Sequence, residues 1–182
     1  MNAPFAAALI AGGRSTRFGS DKAFYQLDGV PLWQHQLSKL EPLMPAEILI
    51  SANADQHFDT AHRVVVDTEP DRGPLGALVS CLSATKLDRL LVLAVDLPDM
   101  PMNFLGELAY AGCGAVPKHA DGMPEPLAAV YPRAILALAE SQLAAGKLAM
   151  RDLVALGVAE NILQIRPVGD GEVGYFKNLN RP

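Results

Sequence analysis

Phe5-Ala6-Ala7-Ala8-Leu9-Ile10-Ala11-Gly12-Gly13-Arg14-Ser15-Thr16-Arg17-Phe18-Gly19-Ser20-Asp21-Lys22 begins as seven apolar residues and runs straight into a loop of three glycines and three cations. The apolar part is continuous rather than alternating, which is how a strand reads when both faces of a mainly parallel sheet are covered. Similar runs recur at residues 46–51, 63–66 and 90–95. Between them, Trp33, Leu37 and Leu40 fall at i, i+4 and i+7, and Leu75, Leu78, Val79 and Leu82 at i, i+3, i+4 and i+7, so each set forms one helical stripe. Pro31 and Pro74 stand where a first helical turn tolerates proline. Strand and helix alternating in this way predict an α/β chain folded as a three-layer α/β/α sandwich.

After Pro98 the pattern loosens. Residues 115–116 and 127–131 read as strands around a polar connection, 118–126, which predicts an antiparallel excursion in the mostly parallel sheet. Residues 134–145 and 149–156 read as helices and 161–167 as a late strand. With 182 residues, half of them apolar, the chain is sized for one core, and residues 1–182 are expected to form a single domain. The net charge of −5 and the scattered cations argue against a nucleic-acid partner. No apolar segment approaches the ~20 residues of a membrane span, and the start of the chain lacks the charge pattern of a signal peptide. A cytoplasmic protein without a membrane partner is expected, with Cys81 and Cys113 as buried free thiols.

The glycine loop suits phosphates. Glycines let backbone N–H groups approach an oxyanion, while Arg14, Arg17 and Lys22 offset the charge of a triphosphate. Neither GxxxxGK[ST] nor GxGxxG is present, so the P-loop and dinucleotide readings lose their support, and a solvated strand-to-helix loop is the plain alternative. Asp96 ends the third recurring run, at the strand edge where ligands of open α/β sheets sit. A single carboxylate there suits magnesium, which takes one or two carboxylates together with substrate phosphates; a turn-forming Asp is the alternative. Asp67 ends another run, and the segment Arg72-Gly73-Pro74-Leu75-Gly76 opens a helix whose amino terminus can hold an anion or a nucleotide edge. Asn53 suits either a base or ribose contact or an Asx-turn. Glu125-Pro126 borders either a second substrate or solvent. His35, His57, His62 and His119 have no metal-ligand spacing, and no nucleophile-elbow sequence occurs.

Together these segments resemble the molybdenum cofactor guanylyltransferase (MobA-like nucleotidyltransferase) family over nearly the whole chain. The signature LAGGxSxRxGxDK is met by Ile10-Ala11-Gly12-Gly13-Arg14-Ser15-Thr16-Arg17-Phe18-Gly19-Ser20-Asp21-Lys22. Pro31-Leu32, Asn53, Asp67, Gly73-Pro74-Leu75-Gly76, Asp96-Leu97-Pro98, Glu125-Pro126-Leu127 and Asn178-Leu179-Asn180 follow in the family's order. The resemblance implies a Rossmann-like fold of the nucleotide-diphospho-sugar transferase type. It implies that Ile10, Ala11, Gly12, Gly13 and Lys22 hold the triphosphate, that Asn53, Asp67 and Gly76 hold the guanine nucleotide, and that Asp96, with Asn180 near it, holds Mg²⁺. Arg17, Lys22 and Asp96 would carry catalysis. Two departures stand out: Ile10 replaces the usual Leu, and the chain ends at Pro182 where the family commonly continues into a short helix.

The implied reaction transfers GMP from GTP to the terminal phosphate of molybdopterin, releasing pyrophosphate, with transient contact to molybdoenzymes or cofactor chaperones as a further expectation. The sister activity uses CTP and typically carries LAAG, so Gly12-Gly13 favours GTP. The alternatives are a CTP-dependent molybdopterin cytidylyltransferase, a nucleotidyltransferase acting on a sugar or alcohol phosphate, and a non-catalytic nucleotide-binding adaptor.

Overall fold

The computed structural model describes residues 3–12, 21–67 and 72–179. Nine strands and five α-helices follow one another among these residues as β1 (Ala6–Ile10), β2 (Gln26–Leu27), β3 (Val30–Pro31), α1 (Leu32–Leu40), β4 (Glu47–Ala52), β5 (Arg63–Val66), α2 (Gly73–Ala84), β6 (Arg89–Ala94), α3 (Met102–Tyr110), β7 (Ala115–Lys118), β8 (Ala128–Pro132), α4 (Leu136–Ala144), α5 (Met150–Ala159) and β9 (Gln164–Pro167). Seven strands form one sheet in the order β5-β4-β1-β6-β8-β7-β9, and β2 and β3 form a separate hairpin.

The three layers are visible within β1 itself. Ala7 and Leu9 pack into a core with α1 and α3, whereas Ala6, Ala8 and Ile10 pack into a second core with α2, α4 and α5. β6 divides the same way, with Leu91 and Leu93 on the first face and Leu90 and Val92 on the second. Side chains alternate across a strand, so a continuous apolar run is stable only where helices cover both faces. The stripes of α1 and α2 meet this demand: Trp33, Leu37 and Leu40 are buried against the first face, and Leu75, Leu78 and Leu82 against the second.

Two sequence expectations need correction. The run at 63–66 forms a strand, but β5 lies at the sheet's edge, with Val64 36% and Val66 48% exposed, so it has no neighbour on one side to complete its cover. β7 and β8 form the expected antiparallel pair, with β8 running against both β6 and β7, while β7 is parallel to β9. Cys81 is buried as expected, but Cys113 is only half-buried, with its thiol donating to Gln164 Oε1 at 3.5 Å.

This topology decides where loops gather. β1, β4, β5 and β6 all point their carboxyl ends to one edge. β8, being reversed, begins at that same edge, with Leu93 of β6 opposite Ala128. The connection between β7 and β8 therefore stands beside the loop that follows β6.

Candidate functional site

The exits of β1, β4 and β5 converge on Gly12. The amides of Ala11 and Gly12 both donate to Ser51 O, at 3.1 and 3.0 Å, which turns the chain sharply as it leaves β1. A Cβ built on Gly12 would lie 3.4 Å from Asn53 Oδ1 and 3.4 Å from Asp67 Oδ2. Glycine thus leaves the strand exit open beside two polar side chains of neighbouring strands. Ser51 donates to Asp67 Oδ1 at 3.1 Å, and the Asp67 amide donates to Ala52 O. Burial raises the Asp67 carboxyl above its ordinary range, opposed by hydrogen bonds from Ser51 and Ser80. Gly76 lies on the first turn of α2, where a Cβ would come within 2.6 Å of Arg72 Cβ, so the helix entrance requires a residue without one.

Gln56 ties this cluster together and gave no signal in the sequence. It is buried; its Oε1 accepts from the Asn53 amide at 2.7 Å, and its Nε2 donates to Ala11 O at 3.1 Å and Asp21 Oδ2 at 2.7 Å. Asp21 Oδ1 in turn accepts from the Ala23 amide and caps the 3-10 turn Lys22–Phe24. A chain of bonds therefore links the exit of β1 with the segment that presents Lys22. Only Ser51, a hydroxyl in a largely apolar strand, carried a local hint.

Lys22 and Asp96 meet across 74 positions of sequence, with Nζ 3.3 Å from Oδ2. Both side chains remain partly exposed, at 15% and 28%, so the pair faces the open edge rather than the core. The Leu179 amide donates to Asp96 O at 2.9 Å, which brings the late Asn178-Leu179 segment to this carboxylate. Gly13, Arg14, Arg17 and Asn180 lie outside the described residues.

On the other side of Asp96 stands the connection between β7 and β8. Gly122 adopts a φ of +90°, a conformation glycine reaches without a Cβ penalty, and its amide donates to His119 O while the His119 amide donates to Met123 O. This tight turn holds Glu125, whose Oε1 lies 2.8 Å from His119 Nε2. Burial raises the Glu125 carboxyl, His119 opposes that shift, and the negative charge of Asp96 adds to it. His119 also packs edge-on against Phe176, with ring centroids 5.2 Å apart. Arg133 does not belong to this edge: its guanidinium donates to Leu82 O and Thr85 O at the far end of α2.

Among the described residues, no three His, Cys, Asp or Glu side chains form a group that could hold a metal ion. The edge instead offers one open carboxylate beside a lysine. That donor set fits a cation carried largely by substrate phosphates and water, not an ion caged by protein ligands.

The family described as MobA-like NTP transferase domain matches residues 7–161. A probable molybdenum cofactor guanylyltransferase of Opitutus terrae is 36% identical over 97% of this chain and 91% of its own length. A second, from Chloroflexus aggregans, is 32% identical over 96% of this chain and 88% of its own length. Among solved structures, molybdopterin-guanine dinucleotide biosynthesis protein A from Archaeoglobus fulgidus superposes with a TM-score of 0.76 at 23% identity, covering 97% of this chain and 93% of that one, and so shares its fold.

Proposed function

The chain belongs to the MobA-like NTP transferase family, and from that premise we propose that it transfers GMP from GTP to the terminal phosphate of molybdopterin. The observation that carries this reading is the gathering of Gly12, Asn53, Asp67 and the Lys22–Asp96 pair at one sheet edge, although they come from four separate strand exits and the turn before β2.

In this reading the backbone from Ile10 to Gly13 and the Lys22 ammonium receive the triphosphate, and Asn53, Asp67 and the α2 entrance at Gly76 receive the guanosine. A terminal phosphate oxygen of the acceptor attacks the α-phosphorus of GTP. One P–O bond forms, the bond bridging the α- and β-phosphorus breaks, and pyrophosphate departs with the electron pair. The attacking oxygen is already ionised near neutral pH, so no general base is required and catalysis rests on positioning and charge stabilisation. Asp96 and the segment reaching Asn180 would hold Mg²⁺, which when bound neutralises phosphate charge as a Lewis acid. Lys22 and Arg17 stabilise charge on the transferring and leaving phosphates. Glu125, across from Asp96 and braced by His119, would accept N–H groups of the incoming pterin.

The test is transfer by purified protein with phosphorylated molybdopterin, Mg²⁺ and labelled GTP or CTP, scoring dinucleotide and pyrophosphate together. GTP alone should give product, and Asp96→Ala should lower turnover by at least about a hundredfold, the scale of losing a main charge-stabilising group. Product from CTP would move the protein to the sister activity, and wild-type turnover in Asp96→Ala would remove Asp96 from its role.

A further inference from the structure

Two side chains of α1 hold the turn that carries Asp96. Gln36 is fully buried, and its Nε2 donates to Ala94 O at 3.0 Å and to Leu97 O at 2.8 Å. Those carbonyls flank Asp96, one two residues before it and the other one residue after it. Both amide protons are thereby used, and the Gln36 side chain also interacts with the neighbouring His35 imidazole. The amide orientation is therefore fixed, since the opposite one would set an oxygen against two carbonyls. Three positions along the same helical face, Lys39 donates to Pro98 O. On the sheet side, the Val95 amide donates to Ile10 O and the Ala94 amide to Leu127 O.

We infer that Gln36 is a positioning residue for the Asp96 carboxylate, setting its geometry toward a phosphate-bound divalent cation through the carbonyls of Ala94 and Leu97. A buried amide is a costly way to fill the space beneath a loop. Burial desolvates a polar amide, which an apolar side chain of equal size would avoid. What an apolar side chain cannot do is hold the two carbonyls that bracket Val95 and Asp96 at a fixed separation. A carboxylate that must meet a cation within a few tenths of an ångström depends on that kind of support from its surroundings.

The inference rests on Asp96 as the carboxylate that meets the cation, and the test separates the two. Mn²⁺ binding is measured by electron paramagnetic resonance in the presence of guanosine 5′-(α,β-methylene)triphosphate, whose nucleotidyl bond cannot be cleaved, and thermal unfolding is recorded alongside. Asp96→Asn should abolish the nucleotide-dependent Mn²⁺ signal; if it binds like wild type, the assignment of Asp96 falls and the inference with it. Gln36→Met keeps the volume and removes both donors, and should weaken Mn²⁺ about tenfold, the scale of one charge-assisted contact set out of place. Gln142→Met is the control: Gln142 is likewise a buried glutamine, but it lies on α4 beneath the other face. It should leave Mn²⁺ affinity unchanged whatever it does to the melting temperature. Gln36→Asn, whose amide is one methylene short of bridging both carbonyls, decides the same question if Gln36→Met does not accumulate as folded protein. Wild-type Mn²⁺ affinity in the folded Gln36 variant, or equal weakening in Gln142→Met, overturns the inference.

Discussion

Asp67 is held in a place that costs stability. Its carboxyl is half-buried and raised from an ordinary value of 3.8, with burial as the leading cause. A folded-state value above the unfolded one means that the native state binds more protons between the two, so stability falls as pH rises through that interval. At neutral pH the full burial cost is present. Asp67→Asn keeps an oxygen that can accept from Ser51 and removes the charge, so its melting temperature should exceed wild type at pH 7, with the gap closing as pH falls toward 4. Guanine nucleotide affinity should fall about tenfold, roughly one charged hydrogen bond. A variant that gains stability and loses affinity marks Asp67 as a binding residue; unchanged affinity on calorimetric titration would return it to the role of a turn.

Residue types at strand ends were legible in the sequence because composition and position are local. Their supports were not. Gln56 reaches partners 35 and 45 positions away, and Gln36 reaches partners 58 and 61 positions away. Nothing adjacent to either glutamine announces such a bond, because the contacts exist only after the sheet has ordered its strands.

The helices show a similar division. α1 and α2 could be read from their stripes, each of which packs against a single core. α3 buries Phe104, Leu105 and Leu108 on one side in the same way, but Pro98 and Pro101 obscure where it starts in the sequence. α2 also depends on a partner far along the chain. Arg133 donates to Leu82 O and Thr85 O, which supplies a cation to carbonyls at the helix's carboxyl end. At about 1.5 Å per residue, the capped carbonyls of Leu82 and Thr85 lie about 9–14 Å along the helix from its entrance at Gly76. Arg133→Ala should therefore cost about 1 kcal/mol, or about 2–4 °C in melting temperature, with KM for both substrates unchanged. A shift in either KM would show that the cap is coupled to the site.

Across the molecule, the antiparallel excursion was legible as an irregularity after Pro98, but its consequence depended on strand order. Reversing β8 brings the turn from His119 to Glu125 to the edge where Asp96 stands. Glu125 faces the site from the side opposite Gly12, Asn53 and Asp67, separated from them by the exit of β6. Glu125→Gln should therefore raise KM for the phosphorylated pterin about tenfold while KM for GTP stays at its wild-type value. Equal changes in both, measured by steady-state kinetics at saturating co-substrate, would place Glu125 outside acceptor recognition.

The position of β8 also bears on how such a protein diversifies. In the proposed reading, the segments that meet the nucleoside triphosphate leave β1, β4 and β5, and the acceptor would meet the turn between β7 and β8, braced by its own hydrogen bonds and by Phe176. On that reading, drift in the crown of this turn leaves the exits of β1, β4 and β5 in place. One ancestral scaffold can thus trade acceptors by rewriting a few residues at the crown of a single hairpin, while the machinery that activates the donor passes through the change intact.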